Sequence, residues 1–187
     1  MGIPIREHTI EQMQSRLDSM NTALNKINYL ESALGTTGFS FEIKRFIWDK
    51  LTELYTERKM FERAARSMAN KAGVEVSSKE KIDSYVTAAE LYSKAGKVED
   101  ADSMFMKAIK DVTPENKAKV VLARKNIYLT LAQELENKGR KASTIKFYEK
   151  LIKMNLEEFE KNEIKTKLIN IYKALGMFRE SKLLEGI

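Results

Sequence analysis

Side chains able to do covalent or metal chemistry are scarce in this sequence. There is no cysteine among 187 residues, which removes thiolate zinc sites, a thiol nucleophile and a disulfide framework. His8 is the one histidine, so a cluster of imidazole ligands is excluded and acid–base chemistry through His has little to work with. Lying close to the N-terminus, it reads as a surface residue. Glu157, Glu158 and Glu160 crowd an expected helix start, where carboxylates complement the positive end of the helix dipole without any catalytic role. Asp100 and Asp102 flank a turn in the same way. The glycine pair in Gly35-Thr36-Thr37-Gly38 lacks the following Lys and the preceding strand of a phosphate loop. The sequence therefore predicts no catalytic residue, no metal ligand and no cofactor, and a chain that is not an enzyme.

What must position the remaining polar residues is helical from end to end. Apolar residues recur at three and four nearly everywhere, and no stretch alternates for long. Thr9 with Gln12 and Ser77 with Glu80 fit capping boxes, Asn155 with Glu158 is a close variant, and Thr113 precedes a proline at a first helical position. Gly35, Gly73, Gly96, Gly139 and Gly176 each close a periodic run. These signals predict about nine helices joined by short turns. The first six residues carry no signal-peptide pattern, and the longest uncharged apolar stretches of the sequence are far too short to span a bilayer, so cytoplasmic residence is expected.

Repetition is the strongest signal. Around Gly96, residues Ala89, Tyr92, Ala101, Phe105 and Ala108 lie at −7, −4, +5, +9 and +12. The same offsets give Ala132, Leu135, Thr144, Tyr148 and Leu151 around Gly139, and Ile169, Tyr172, Ser181 and Glu185 around Gly176. Around Lys59 they give Thr52, Tyr55, Ala64, Met68 and Lys71. Small residues let the helices of a hairpin approach, and aromatics fill the gap to the next hairpin. The pattern resembles the tetratricopeptide repeat over residues 41–187. Its turns are spaced by 37, 43 and 37 residues, against a family period of about 34. The resemblance implies an all-α superhelix of about four helical hairpins over residues 39–187. Residues 1–38 form a separate element, in which Ile10, Met13, Leu17, Met20, Leu24 and Ile27 make a heptad-like seam. That helix either packs on the first hairpin or joins two copies in a homodimer.

Two surfaces can receive a partner. In the family, the first helix of each hairpin lines a concave groove that holds a peptide. That face maps to Asp49, Glu53 and Thr56, then Asp83, Val86 and Glu90. Asn126, Leu129, Gln133 and Glu136 follow, and then Glu163, Thr166, Asn170 and Lys173. Its carboxylates disfavour an acidic peptide terminus and suit a basic or apolar segment, or simply form a solvated face. The basic residues sit elsewhere. Residues 114–154 hold ten cations against four carboxylates and so account for the whole net charge of +6. The cations are Lys117, Lys119, Arg124, Lys125, Lys138, Arg140, Lys141, Lys146, Lys150 and Lys153. Such a patch either is solvated surface or attracts a polyanion such as ribosomal RNA. The first expectation is a protein-binding scaffold that helps assemble a larger complex. The alternative is a ribosome- or RNA-associated factor docking through the third hairpin, alone or as a homodimer.

Overall fold

The computed structural model describes residues 5–110 and 112–186. Residues 1–4, read above for targeting signals, lie outside the described residues. The chain is all-α, with ten helices and no strand among the described residues. They are α1 (Ile10–Asp18), α2 (Ala23–Leu34), α3 (Phe41–Glu57), α4 (Phe61–Val74), α5 (Ser78–Lys94), α6 (Val98–Ala108), α7 (Pro114–Asn137), α8 (Lys141–Ile152), α9 (Glu158–Ala174) and α10 (Phe178–Glu185). Two compact units result, Met1–Asp111 and Val112–Ile187. The first holds the hairpins α3–α4 and α5–α6 behind the pair α1–α2, and the second holds α7–α8 and α9–α10. Among the described residues no helix is long and apolar enough to cross a membrane.

One turn recurs in all four hairpins. Lys59, Gly96, Gly139 and Gly176 have φ of 57°, 74°, 69° and 73°. The next residue donates its N–H back to the carbonyl five residues earlier: Met60 to Tyr55, Lys97 to Tyr92, Arg140 to Leu135 and Met177 to Tyr172, at 2.8 to 2.9 Å. This left-handed closure satisfies carbonyls that the helix end leaves free. The five-residue step after each turn then lands on Ala64, Ala101, Thr144 and Ser181, all at 0 to 1% exposure. Small side chains there let the two helix backbones close up. The long middle spacing has a simple source: α7 has 24 residues where α3, α5 and α9 have 17. The added two turns stand at its N-terminal end, behind Thr113 and Pro114.

The N-terminal seam corrects the sequence reading. It is two helices, not one, and this raises the expected nine to ten. Thr22 interrupts the heptads by accepting a hydrogen bond from the Asn25 N–H at 3.2 Å, which starts α2 afresh. Met13, Leu17 and Ile27 are buried in the core of the first unit, together with Leu30, Ile47 and Leu51. Met20 packs against that core and Ile10 is half-buried, whereas Leu24 stays 54% exposed. Tyr55 on α3 donates its hydroxyl to Glu31 on α2. Tyr172 on α9 does the same to Glu149 on α8 at 2.6 Å. So α2 stands before α3 as α8 stands before α9.

Smaller boundary shifts follow from local chemistry. The last full hairpin begins at Glu157, whose N–H donates to Glu160 Oε2 at 3.4 Å, so the cap lies two residues beyond Asn155. Gly73 is inside α4, which ends one residue later.

Candidate functional site

In the second unit, side chains one helical turn apart on α7 face others one turn apart on α9. Lys125, Leu129 and Gln133 form one stripe, and Phe159, Glu163 and Lys167 the other, because residues four apart share a helix face. Glu160, Ile164, Leu151 and Leu156 complete the lining of a cavity of about 140 Å³. That volume is close to the roughly 150 Å³ of an apolar cavity able to hold a benzene ring. Leu151 and Ile164 are buried, while Phe159 on the rim is 77% exposed.

The charges on the rim are paired. Lys125 Nζ reaches Glu160 Oε1 at 2.5 Å, tying α7 to α9. This contact, aided by the Glu157 N–H, holds the Glu160 carboxyl below the usual carboxylate range. Lys167 lies 3.3 Å from Glu163 and 5.8 Å from the centre of the Tyr148 ring. Beneath them Tyr148 donates to Glu136 at 2.7 Å. Burial and then this hydrogen bond raise the pKa of the Tyr148 phenol, so it stays neutral and available as a donor. The arrangement sets five apolar side chains between two paired charges of each sign, and it has room to hold a side chain.

Two segments of the chain match the family model of the tetratricopeptide repeat, residues 82–110 and residues 126–158. The chain carries tetratricopeptide-like repeats. The first match covers most of α5 and all of α6, and the second begins midway along α7, beyond its extra turns. Tetratricopeptide repeats generally mediate protein–protein interaction and scaffolding and are typically non-enzymatic. No curated protein matches the chain. Among the described residues no group of His, Asp or Glu is placed to hold a metal ion.

The repeat frame also shows where the expected groove residues stand. Gln133 lines the cavity, and Asn126 and Asn170 are exposed on α7 and α9. Glu136 is turned to Tyr148. In the first unit Asp49 pairs with Lys71 at 2.7 Å, Glu53 with Lys50 at 3.0 Å and Glu90 with Lys94 at 2.6 Å. Asp83 is exposed on α5. Three of these five carboxylates are thus paired with a lysine of their own unit and a fourth with a phenol, so the acidity of such a groove is partly offset. The sequence reading placed Leu129 on this line but missed Leu151, Leu156, Phe159 and Ile164, which give the cavity its apolar character.

The ten basic residues do not form one surface. Lys117 and Lys138 are 21 positions apart on α7, about 30 Å at 1.5 Å per residue. Lys125 belongs to the cavity, and Arg124 lies 5.5 Å from the Tyr128 ring centre. Lys119 pairs with Glu115 at 2.6 Å and Lys138 with Glu134 at 3.6 Å. Arg140, Lys141, Lys146 and Lys153 are exposed at the turn and along α8, and Lys150 is half-buried beside them.

Proposed function

We propose that the protein is a non-enzymatic scaffold whose α7–α9 cavity receives one large apolar side chain of a partner protein, helping to assemble a larger complex. The observation that carries this reading is a cavity of about 140 Å³ in which Leu129, Leu151, Leu156 and Ile164 stand between paired charges, beside Phe159, which is 77% exposed. Unfilled apolar volume forgoes dispersion contacts, and an exposed aromatic beside a pocket is the usual anatomy of an interface anchor. The paired rim charges favour a partner anchored by its apolar side chain over one recognised by charge. Placing a photo-crosslinking phenylalanine at Phe159 should give discrete protein adducts in cells, and filling the cavity with Leu129→Phe should remove them. A crosslinker at Asp49 in the first unit serves as the control. Adducts that are equal at both positions, or that survive the filling, overturn the proposal.

A further inference from the structure

The outer side of α8 forms a separate, basic surface of the second unit. Its buried side carries Thr144, Ile145, Phe147, Tyr148 and Leu151. Lys146 and Lys153, seven residues and so two turns apart, share the opposite face, with Lys150 flanking them and Arg140 and Lys141 at its head. The helix has no acidic residue in its first turn, so the positive end of its dipole adds to these cations.

The carboxylates that could neutralise this face are drawn elsewhere. Residues 114–154 contain four of them. Glu115 and Glu134 pair with Lys119 and Lys138 on α7. Glu136 accepts from Tyr148 and Glu149 from Tyr172, which turns both towards the hairpin junctions. Arg140, Lys141, Lys146 and Lys153 keep no carboxylate partner among the described residues.

The type of partner follows from what the face lacks. Between its lysines stand only Ala142, Ser143 and Glu149, with no large apolar or aromatic side chain. Protein interfaces take most of their energy from such anchors, and membrane surfaces need them to insert. A nucleic acid needs neither, because neutralising its phosphates releases condensed counterions. Base reading is disfavoured as well. The face presents no Asn or Gln to pair with a base edge, and no aromatic is present to stack on unpaired bases. Backbone-only contact is the mode by which double-stranded RNA is recognised by shape, and its A-form backbone also packs phosphates more densely than B-form DNA.

We propose that the α7–α8 turn and the outer face of α8 bind the phosphate backbone of double-stranded RNA without reading its sequence. The test is fluorescence anisotropy of the full chain with two unrelated 20-base-pair RNA duplexes across a salt series. About four phosphate contacts predict a slope of log affinity against log salt near −3 to −4, the same for both sequences. Lys146→Glu with Lys153→Glu should reduce that slope by about 2. The control, Lys79→Glu with Lys81→Glu on α5, makes the same change in net charge and should leave it unaltered. The proposal is overturned by an equal loss in the control, by an unchanged slope in the α8 variant, by tighter binding of a DNA duplex of equal length, or by equal binding of polyglutamate. Far-ultraviolet circular dichroism of each variant confirms that the helices persist, since all four lysines are exposed.

Discussion

Between the two hairpins of the first unit, Asp49, Lys71 and Lys79 hold the register positions that Leu129, Leu151 and Phe159 hold in the second. Asp49 and Leu129 each lie ten residues before their turns, and Lys71 and Leu151 twelve after. In the first unit Lys71 bridges Asp49 at 2.7 Å and Glu75 at 3.5 Å, and Arg45 approaches Glu75 at 3.7 Å and the Val74 carbonyl at 3.4 Å. Burial works against the Lys71 ammonium, but Asp49 and Glu75 outweigh it and raise its pKa. In the second unit the same positions enclose the apolar cavity. One backbone plan therefore carries a junction closed by its own charges and another left open. An ion network satisfies itself, because its partners lie within the chain. An apolar wall is completed only by something that fills it, so the scaffold reading rests on the second junction.

The largest test of this contrast is to break the charged junction. The Glu75 side chain is only 3% exposed, so Lys71→Ala leaves a carboxylate out of water with one distant cation. Loss of one partner of a buried pair should cost about 3 kcal/mol, read as a lower urea midpoint. Replacing Asp49, Lys71 and Glu75 together by Leu should instead remain within about 1 kcal/mol of the parent, because an apolar trio avoids the desolvation penalty. If the triple variant is as unstable as the single one, the ion network is a source of stability and the contrast must be redrawn.

A smaller effect tests what the units share. Tyr55 and Tyr172 each donate to a carboxylate on the preceding helix. Either Tyr→Phe change should cost about 2 kcal/mol, the usual worth of a hydrogen bond to a charged group. The pH dependence has a defined sign. Burial, followed by the Glu31 hydrogen bond, pushes the Tyr55 phenol up to about 12 from 10. Its contribution is complete below pH 10, where the unfolded phenol is also neutral, and fades as pH rises towards 12. Thermal melts between pH 9 and 12 should show this loss, and Tyr55→Phe should flatten it. An unchanged alkaline slope would mean that the hydroxyl faces water.

Smaller again is the effect of filling the open junction. Leu129→Phe adds apolar volume beside the cavity of about 140 Å³, and cavity filling commonly gains about 1 kcal/mol. A loss of 1 to 3 kcal/mol, the usual result of overpacking, would show that the space is already taken up by its walls. The same substitution at an already packed position has no such route to a gain, so its sign reports on the cavity directly.

These contrasts were unequally legible in the sequence. The hairpins were readable because each turn fixes its neighbours: a left-handed residue, then a small one five positions on, such as Ala101 after Gly96. The break after α1 was not, since Met13, Leu17, Leu24 and Ile27 keep their heptad spacing straight through it. Only the cluster Ser19-Met20-Asn21-Thr22 marked it, by offering a cap. The cavity was hidden for a different reason. Leu151 and Ile164 look like any core residue, and a cavity is a shortfall of volume between helices that no single residue encodes. Aligning Leu129, Leu151 and Phe159 with Asp49, Lys71 and Lys79 by turn offset is the signal that could have exposed it. The basic residues are less legible in the opposite sense. The ten are close in sequence, but a helix of 24 residues carries them to different ends and faces.

The smallest expected effect concerns the turn that both units have in common. Three of the four turns use glycine at the left-handed position, whereas the first uses Lys59 at φ 57°. A side chain in that region costs about 1 to 2 kcal/mol, and glycine loses about 0.5 to 1 kcal/mol more backbone entropy on folding. Lys59→Gly should therefore stabilise the protein by only about 0.5 kcal/mol. Lys59 is exposed and has no ion-pair partner among the described residues, so Lys59→Ala should be neutral and separates backbone strain from loss of the charge. If Ala gains as much as Gly, charge repulsion from neighbouring Arg58 is the cause. If Gly gains nothing, the turn geometry is sustained by the Met60 N–H to Tyr55 carbonyl bond at 2.8 Å, and a lysine fits this turn at no more expense than the glycines of the other three.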